Sequence, residues 1–514
     1  MILLVNPPVV KPSEPPPGIA RLHGALSAAG VKCSALDANI EAFAHLLEKP
    51  VSGSDRWTLR AARNRDGNLD AIRSTRGYLD LDRYKRLVSD INRLIEKADC
   101  GPDGPDRLSL ANHTRGDLSP VRSADLLRAA EEYVKNPFYD YFSRRLAAVL
   151  ERDAPEIVGF SLNYLSQALT AFSMMGYVRA HAPRVKIVLG GGLVTSWARN
   201  PHWKNPFGGL ADHIVDGPGE RALLALAGKD ANGAAPRPVY GPFPLRDYFA
   251  PGPILPYSAS SGCYWNRCSF CPETAEGTRY DPIGPAAAAT EAGELVREVR
   301  PALVHFLDSA LSPALLRELA QNPPGAPWYG FVRVTRRLAD ADFCRGLRAS
   351  GCVMLKLGLE SGDQGVIDAE GKGIDLGVAS RALVSLKAAG IGTYVYLLFG
   401  TPSETEKEAR NTLDFTVRHS EYIDFLNLAV FNMPVNSPDA RRFGTGPHYG
   451  GDLSLYTGFA HPAGWDRARV RHFLDREFKR HPAIAPIIAG DPPFFTSNHA
   501  PFFCRSFAPG SRRG

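Results

Sequence analysis

Three cysteines, Cys263, Cys268 and Cys271, stand within nine residues of a 514-residue chain. The segment reads Ser261-Gly262-Cys263-Tyr264-Trp265-Asn266-Arg267-Cys268-Ser269-Phe270-Cys271-Pro272-Glu273. The other five, Cys33, Cys100, Cys344, Cys352 and Cys504, are scattered. Eight cysteines in this length do not make a disulfide scaffold, and thiols packed this closely favour a metal. Three thiolates on a short loop hold one soft metal centre. A structural zinc is closed by four ligands, and an iron–sulfur cubane also takes four. Three cysteines with no adjacent histidine or fourth cysteine leave one position empty. On a redox-active cluster, that is where a substrate or cofactor binds. The other reading is a zinc knuckle completed from elsewhere, by Cys344, Cys352 or a histidine.

Such a loop needs a rigid element behind it. From 254 to about 432 the chain alternates between the two periodicities. Strands are predicted near 255–260, 302–307, 327–333, 353–359, 392–399 and 424–430, and helices near 285–299, 311–320, 338–349, 376–389 and 404–418. Six strands and five helices predict a partial (β/α)6 barrel, with the cysteine loop after its first strand. Active sites in such barrels gather at the carboxyl ends of the strands. The aromatic- and proline-rich region 433–514, including DPPFFTSNHAPFF, is expected to cap one end.

The N-terminal half alternates too. Ile2–Val5 reads as a strand, followed by Asn6-Pro7-Pro8. A helix carries Ile19, Leu22, Leu26 and Ala29 on one face and stops at Gly30, and a second strand ends at Asp37. Residues 156–161 and 185–189 are further strands, with a helix at 166–181 between them and Gly190-Gly191-Gly192 after them. His213-Ile214-Val215 is a short strand before DGPGE. The expectation is an open, doubly wound, Rossmann-like α/β domain over 1–228, interrupted at about 50–150 by a mainly helical insertion. The Pro-, Gly- and Ala-rich segment 229–253 reads as a linker.

The cysteine loop and the segments after it resemble the radical S-adenosylmethionine (radical SAM) enzymes, whose signature is Cys-x3-Cys-x2-Cys after the first barrel strand. Phe270 matches the aromatic residue before the third cysteine. This chain departs by one residue, having four between its first two cysteines. The resemblance continues for roughly 180 residues, through Val304–Ser309, Trp328–Arg333, Leu357-Gly358-Leu359-Glu360-Ser361-Gly362, Lys372-Gly373, Gly390-Ile391 and Leu398–Thr405. It implies a [4Fe-4S] cluster on Cys263, Cys268 and Cys271, with the fourth iron chelating SAM. Phe270 would lie near the adenine. Glu360 and Ser361 would meet polar groups of SAM, and Arg333 would pair with its carboxylate. A structural polar residue at a strand end is the alternative for these polar positions and for Asp308, and helix capping is the alternative for Glu404.

The α/β domain ahead of the barrel resembles the cobalamin-binding subfamily of these enzymes. Ligands of open α/β sheets lie outside the carboxyl ends of the strands. There the resemblance implies a corrinoid near Asn6, Ser161, Gly190, Gly191 and Gly192. Those glycines let a nucleotide tail approach the backbone or simply make a tight turn. The Asp-x-His-x-x-Gly motif that supplies a lower axial histidine in many cobalamin proteins is absent, so no histidine of that motif ligates the corrinoid.

The implied activity is reductive cleavage of SAM by a cobalamin-dependent methyltransferase acting on a small-molecule or peptide substrate. An electron donor such as flavodoxin or ferredoxin is the implied partner. A radical SAM cyclase, oxidase or rearrangement enzyme has the same domain order, and a zinc-stabilised, non-catalytic binding protein is the alternative from a different class. Composition narrows the field. With 60 Lys and Arg against 54 Asp and Glu, the net charge is +6. The basic stretch 467–480 carries Val470, Phe473, Leu474 and Phe478 at helical spacing, so it reads as an amphipathic helix and no nucleic acid is expected. Ordinary globular composition excludes collagen and long disorder. No apolar run reaches the ~20 residues of a membrane span. The N-terminus reads as a strand and not as a signal peptide, so a cytoplasmic location is expected.

Overall fold

The computed structural model describes every residue except 52, 99–105, 201, 231–236, 494–498 and 508–514. Cys100, most of the Gly-Pro-Asp run at 101–107 and the middle of DPPFFTSNHAPFF lie outside the described residues. The chain divides into two compact units, one mainly Met1–Pro253, the other mainly Ile254–His448 and Tyr456–Pro492.

The first unit is built on strands β1 (Ile2–Asn6), β2 (Cys33–Asp37), β3 (Ile157–Ser161), β4 (Lys186–Gly190) and β5 (His213–Ile214). All pair in parallel, in the order β2-β1-β3-β4-β5. Every residue of β1 and β3 is buried, because helices cover both faces of a parallel sheet. The helix Pro17–Ala28 opens on a proline and ends before Gly30, whose φ of +69° turns the chain into β2. The order reverses between β1 and β3, which puts the switch-point crevice beside Asn6 and Ser161. The described residues of the 50–150 region are mainly helical, as the spacing predicts, apart from a hairpin, Asp106–Leu108 with His113–Arg115. Its long helix Leu81–Lys97 buries Tyr84, Leu87, Val88, Ile91, Leu94 and Ile95.

The described residues at the end of the expected 229–253 linker, 237–253, are instead packed. Val239 N–H donates to Ala20 O at 2.9 Å and Phe249 N–H to Pro12 O at 2.7 Å. Tyr240 and Phe249 are buried, and Tyr248 Oη donates to Asp37 Oδ2 at 2.5 Å. Proline and glycine marked irregular backbone here, while the aromatic residues between them anchor it to the sheet.

The second unit carries strands β6 (Ile254–Tyr257), β7 (Leu303–Phe306), β8 (Trp328–Val332), β9 (Cys352–Glu360), β10 (Gly392–Phe399) and β11 (Phe425–Val430). They form one parallel sheet in sequential order. The connecting helices are Pro285–Val299, Pro313–Gln321, Ala341–Ala349, Leu376–Ala388 and Glu406–Arg418, the expected partial barrel. Ser312, Asp340, Asp375 and Thr405 cap four of them with side-chain oxygens, each worth ~1 kcal/mol. Phe306, Trp328 and Gly330 face the helices: Trp328 Nε1 donates to Ser350 O at 3.2 Å, and a Cβ on Gly330 would lie 2.8 Å from Leu311. The alternate positions, including His305, Tyr329, Phe331, Lys356, Tyr394 and Tyr396, share the inner face.

Among the described residues, the C-terminal region does not form a single cap. Tyr449–Leu455 joins the first unit, where Leu453 N–H donates to Val121 O at 3.0 Å. His461 Nε2 lies 2.8 Å from Thr401 O, at the carboxyl end of β10. Phe503 lies against Gly392, at the start of the same strand. The amphipathic stretch is an α-helix, Arg467–Phe473, running into a π-helical turn, Leu474–Phe478; it buries Val470, Phe473, Leu474 and Phe478.

Candidate functional site

The cysteine loop leaves β6 at its carboxyl end. A two-residue strand, Ser260–Ser261, pairs antiparallel with Asp281–Pro282 and closes the loop's base. Asp308 fixes that base: its carboxylate accepts from Ala259 N–H at 3.1 Å and Ser260 Oγ at 2.5 Å. Burial pushes the Asp308 carboxyl up, and these donors pull it back. Within the loop, Gly262 has φ +70°, and a Cβ there would lie 2.4 Å from Arg279 O. Cys271 N–H donates to Cys268 O at 3.2 Å, a tight turn between the last two cysteines.

The loop is seated on Glu370-Gly371-Lys372-Gly373, the segment beyond β9. Ser269 N–H donates to Glu370 O at 3.1 Å, and Ser269 Oγ donates to Glu370 Oε2. Trp265 Nε1 donates to Gly371 O at 2.9 Å. Gly373 has φ +64°, and a Cβ there would lie 2.3 Å from Trp265 Cζ2. The indole therefore packs directly against a residue that has no side chain. On the ring sits the Arg333 guanidinium, its Cζ 3.6 Å from the centroid. Arg333 Nη2 also donates to Lys372 O at 2.5 Å and Gly373 O at 3.3 Å. The other oxygen of Glu370 accepts from Ser403 Oγ at 2.5 Å, so this carboxylate ties the cysteine loop to the segment after β10. Sequence reasoning missed this cradle. Its signal was the paired glycines in EGKG, each at positive φ.

Lys372 is buried, with Nζ 2.8 Å from Glu360 Oε1 and 5.6 Å from the centroid of Phe270. Burial pulls the Lys372 ammonium down, but Glu360 and Cys268 outweigh it and the net shift is up. Burial pushes the Cys268 thiol up to about 11 against the opposing pull of Lys372, and raises Cys271 as well. Protonated thiols in a dry site need a metal or a nearby cation to ionise them.

Of the residues expected to meet SAM, Phe270, Arg333 and Glu360 all border this loop. Arg333 Nε is buried with no hydrogen-bond partner. Ser361 faces elsewhere: it is buried against Thr412, with Oγ–Oγ1 at 3.0 Å, and accepts from Asp363 N–H at 3.1 Å. Glu404 is fully buried. Its Oε2 accepts from Gly400 N–H at 2.5 Å and Trp465 Nε1 at 3.0 Å, while Oε1 has no partner. Burial pushes its carboxyl up to about 8.

Neither cysteine offered as an outside ligand for zinc is grouped with this loop. Cys352 opens β9 at the opposite end of the sheet, in register with Trp328 at the start of β8. Cys344 is buried, with Sγ 3.3 Å from Leu338 O. Among the described residues, no group of three or more His, Cys, Asp or Glu is placed to hold a single metal ion. Three soft donors on one loop, with no fourth alongside and an unpaired guanidinium N–H nearby, fit a cluster with one iron open to an anionic ligand.

Below the loop, the inner face is aromatic and basic. His305 stacks on Tyr329 at 4.2 Å and 8°, and Lys356 Nζ lies 3.3 Å from His305 Nε2. Phe331 and Tyr396 meet at 4.6 Å, and Tyr394 and Tyr396 at 4.7 Å. The signal for these residues was a period of two within apolar strands, such as Lys356 in CVMLKLGLE.

In the first unit, the candidate corrinoid positions divide. Asn6 is buried, its Nδ2 donating to Asp37 Oδ1 at 2.8 Å and its Oδ1 accepting from Gln167 at 3.2 Å. Ser161 Oγ accepts from Asn163 Nδ2 at 3.1 Å. Gly191 has φ +107°, and a Cβ would lie 2.5 Å from Leu162 O, so its bareness serves the turn. Gly192 is exposed and would meet only Asn163 Oδ1, at 3.7 Å. Exposed Tyr164 follows β3 at the same crevice. Bare backbone beside an exposed aromatic ring fits a large planar ligand, and no histidine directly follows β1, β2, β3 or β4.

Known structures share this architecture. TsrM from Kitasatospora setae, a radical SAM methyltransferase with cobalamin and a [4Fe-4S] cluster bound, is 17% identical, with a TM-score of 0.52 over 96% of this chain and 91% of that one. The same enzyme with tryptophan substrate and the SAM analogue aza-SAM gives 0.52 and 17%, over 96% and 89%. OxsB, a cobalamin-dependent SAM radical enzyme with aqua-cobalamin bound, gives 0.52 and 13%, over 69% and 65%. No family model and no curated protein sequence matches the chain. The chain shares the fold of these enzymes, with an open, parallel α/β unit and a partial β/α barrel. No helix among the described residues is long and apolar enough to cross a membrane.

Proposed function

We propose that this protein is a cobalamin-dependent radical SAM enzyme and that it transfers methyl groups. The observation that carries the reading is the three-cysteine loop, seated on EGKG at the carboxyl end of a partial barrel. The match to TsrM, which spans both units, supports it. Cys263, Cys268 and Cys271 would hold a [4Fe-4S] cluster, and the crevice at Ser161, Asn163 and Gly192 would hold the corrinoid. When bound, cluster and SAM supply one-electron cleavage of the sulfonium, and the corrinoid supplies a methyl carrier.

The chain's own residues bind, orient and exclude water. Trp265, Ser269 and Glu370 hold the cysteine loop at a fixed height over the barrel. Arg333 offers its unpaired Nε to an anionic group such as the SAM carboxylate, Glu360 offers its second oxygen to an ammonium, and Phe270 offers an apolar face. The aromatic inner face receives the small-molecule or peptide substrate. A one-electron donor protein such as flavodoxin or ferredoxin completes the system. The second reading, radical chemistry without net methylation, is favoured by the likeness to OxsB, a cobalamin-dependent radical enzyme not described as a methyltransferase.

Anaerobic protein loaded with iron, sulfide and hydroxocobalamin tests both readings. With SAM and a reductant it should form 5′-deoxyadenosine, and the Cys263→Ala, Cys268→Ala, Cys271→Ala variant should form none. Counting methyl groups added to an accepted substrate separates methyl transfer from the alternative. Turnover that persists in the triple variant overturns the assignment.

A further inference from the structure

We propose that the buried charges of Lys372 and Glu360 shift the reduction potential of the iron–sulfur centre on the cysteine loop in opposite directions, the ammonium raising it and the carboxylate lowering it. The proposal rests on the cluster reading above. The Lys372 side chain is 8% exposed and that of Glu360 19%, with 2.8 Å between Nζ and Oε1. The ammonium stands 5.6 Å from the centroid of Phe270, which lies on the cysteine loop between Ser269 and Cys271.

The backbone is shaped around the pair. A Cβ on Gly358 would lie 2.8 Å from Glu360 Oε1 and 2.9 Å from Lys372 Nζ, so a side chain at 358 would displace both groups. Glu360 holds φ +71°, an uncommon conformation for a residue with a side chain, at the register shift between β9 and β10. Such a conformation persists when its surroundings over-determine it. Lys372 sits between Gly371 and Gly373, both at positive φ, in the segment that seats the cysteine loop.

One-electron reduction adds a negative charge to the cluster. A fixed cation nearby favours it and a fixed anion opposes it, most strongly where water is excluded. Lys372 and Glu360 therefore push the potential in opposite directions. Residues that only held the loop in place would have effects of the same sign.

The test is an EPR-monitored potentiometric titration of the reconstituted full-length protein without SAM, with dithionite as electron source. For Lys372→Met, the reduced-to-oxidised ratio at a fixed potential should fall about tenfold, or 59 mV for a one-electron couple. For Glu360→Gln it should rise by a similar factor. The double variant and Lys372→Arg should stay within about threefold of wild type. If Lys372→Met takes up no iron, the rise in Glu360→Gln measured against Lys372→Arg decides. Shifts of the same sign, or none, in a protein that holds the cluster overturn this proposal alone. A wild-type protein that assembles no iron–sulfur centre overturns the functional reading beneath it.

Discussion

Gly373→Ala should unseat the cysteine loop, and the cost comes from backbone strain and from one contact. At φ +64° an alanine takes on ~1–2 kcal/mol of left-handed strain. Its Cβ would lie 2.3 Å from Trp265 Cζ2, an overpacking that costs a further ~1–3 kcal/mol. The loop should therefore open more readily by ~2–5 kcal/mol, roughly thirtyfold or more in its opening equilibrium. Hydrogen exchange of the Ser269 amide, which donates to Glu370 O, reads this opening in the apoprotein. Trp265→Ala by itself also loosens the loop, since it removes the hydrogen bond to Gly371 O and the surface under Arg333. In that background only the backbone strain of Gly373→Ala remains, so the two substitutions should couple by ~1–3 kcal/mol. If Gly373→Ala costs the same with and without the indole, Trp265 does not rest on Gly373 and the cradle is wrong.

Burial and close backbone packing elsewhere in the chain predict three further outcomes. The Glu404 carboxyl is held at about 8 by burial, above its unfolded value. The folded protein thus binds the extra proton between pH ~4.5 and 8, and the stability this group contributes is complete below ~4.5 and lost as pH rises to about 8. Thermal unfolding of wild type should fall across that window, and Glu404→Gln should flatten the decline; an unchanged slope refutes the burial argument. Gly191→Ala should destabilise the first unit by ~2–4 kcal/mol through its clash with Leu162 O and its positive φ, seen in denaturant unfolding. Gly192→Ala should stay within ~0.5 kcal/mol of wild type yet weaken hydroxocobalamin uptake in a spectroscopic titration, and uptake equal to wild type removes Gly192 from the corrinoid site.

The alternation of strands and helices was legible because each element carries its own period. Ile2–Val5, Ile157–Ser161 and all six barrel strands lie close to where apolar runs placed them. The cysteine loop was legible because its three ligands are local. The cradle was not, since it joins Trp265 to Gly371 and Ser269 to Glu370 across about a hundred residues, largely through backbone carbonyls that no side-chain pattern reports. Segment 229–253 misled because Pro and Gly mark irregular backbone and do not distinguish free chain from packed chain. Asn6 and Ser361 matched motif positions, but their hydrogen bonds to Asp37 and Thr412 appear only in three dimensions.

Metal analysis of anaerobically reconstituted protein, with EPR before and after adding SAM, tests the central claim most directly. The account predicts about four irons per chain, a reduced-cluster signal that changes when SAM binds, and loss of both in the Cys263→Ala, Cys268→Ala, Cys271→Ala variant. A stoichiometric zinc ion filling the thiols, or iron retained by the triple variant, would contradict it.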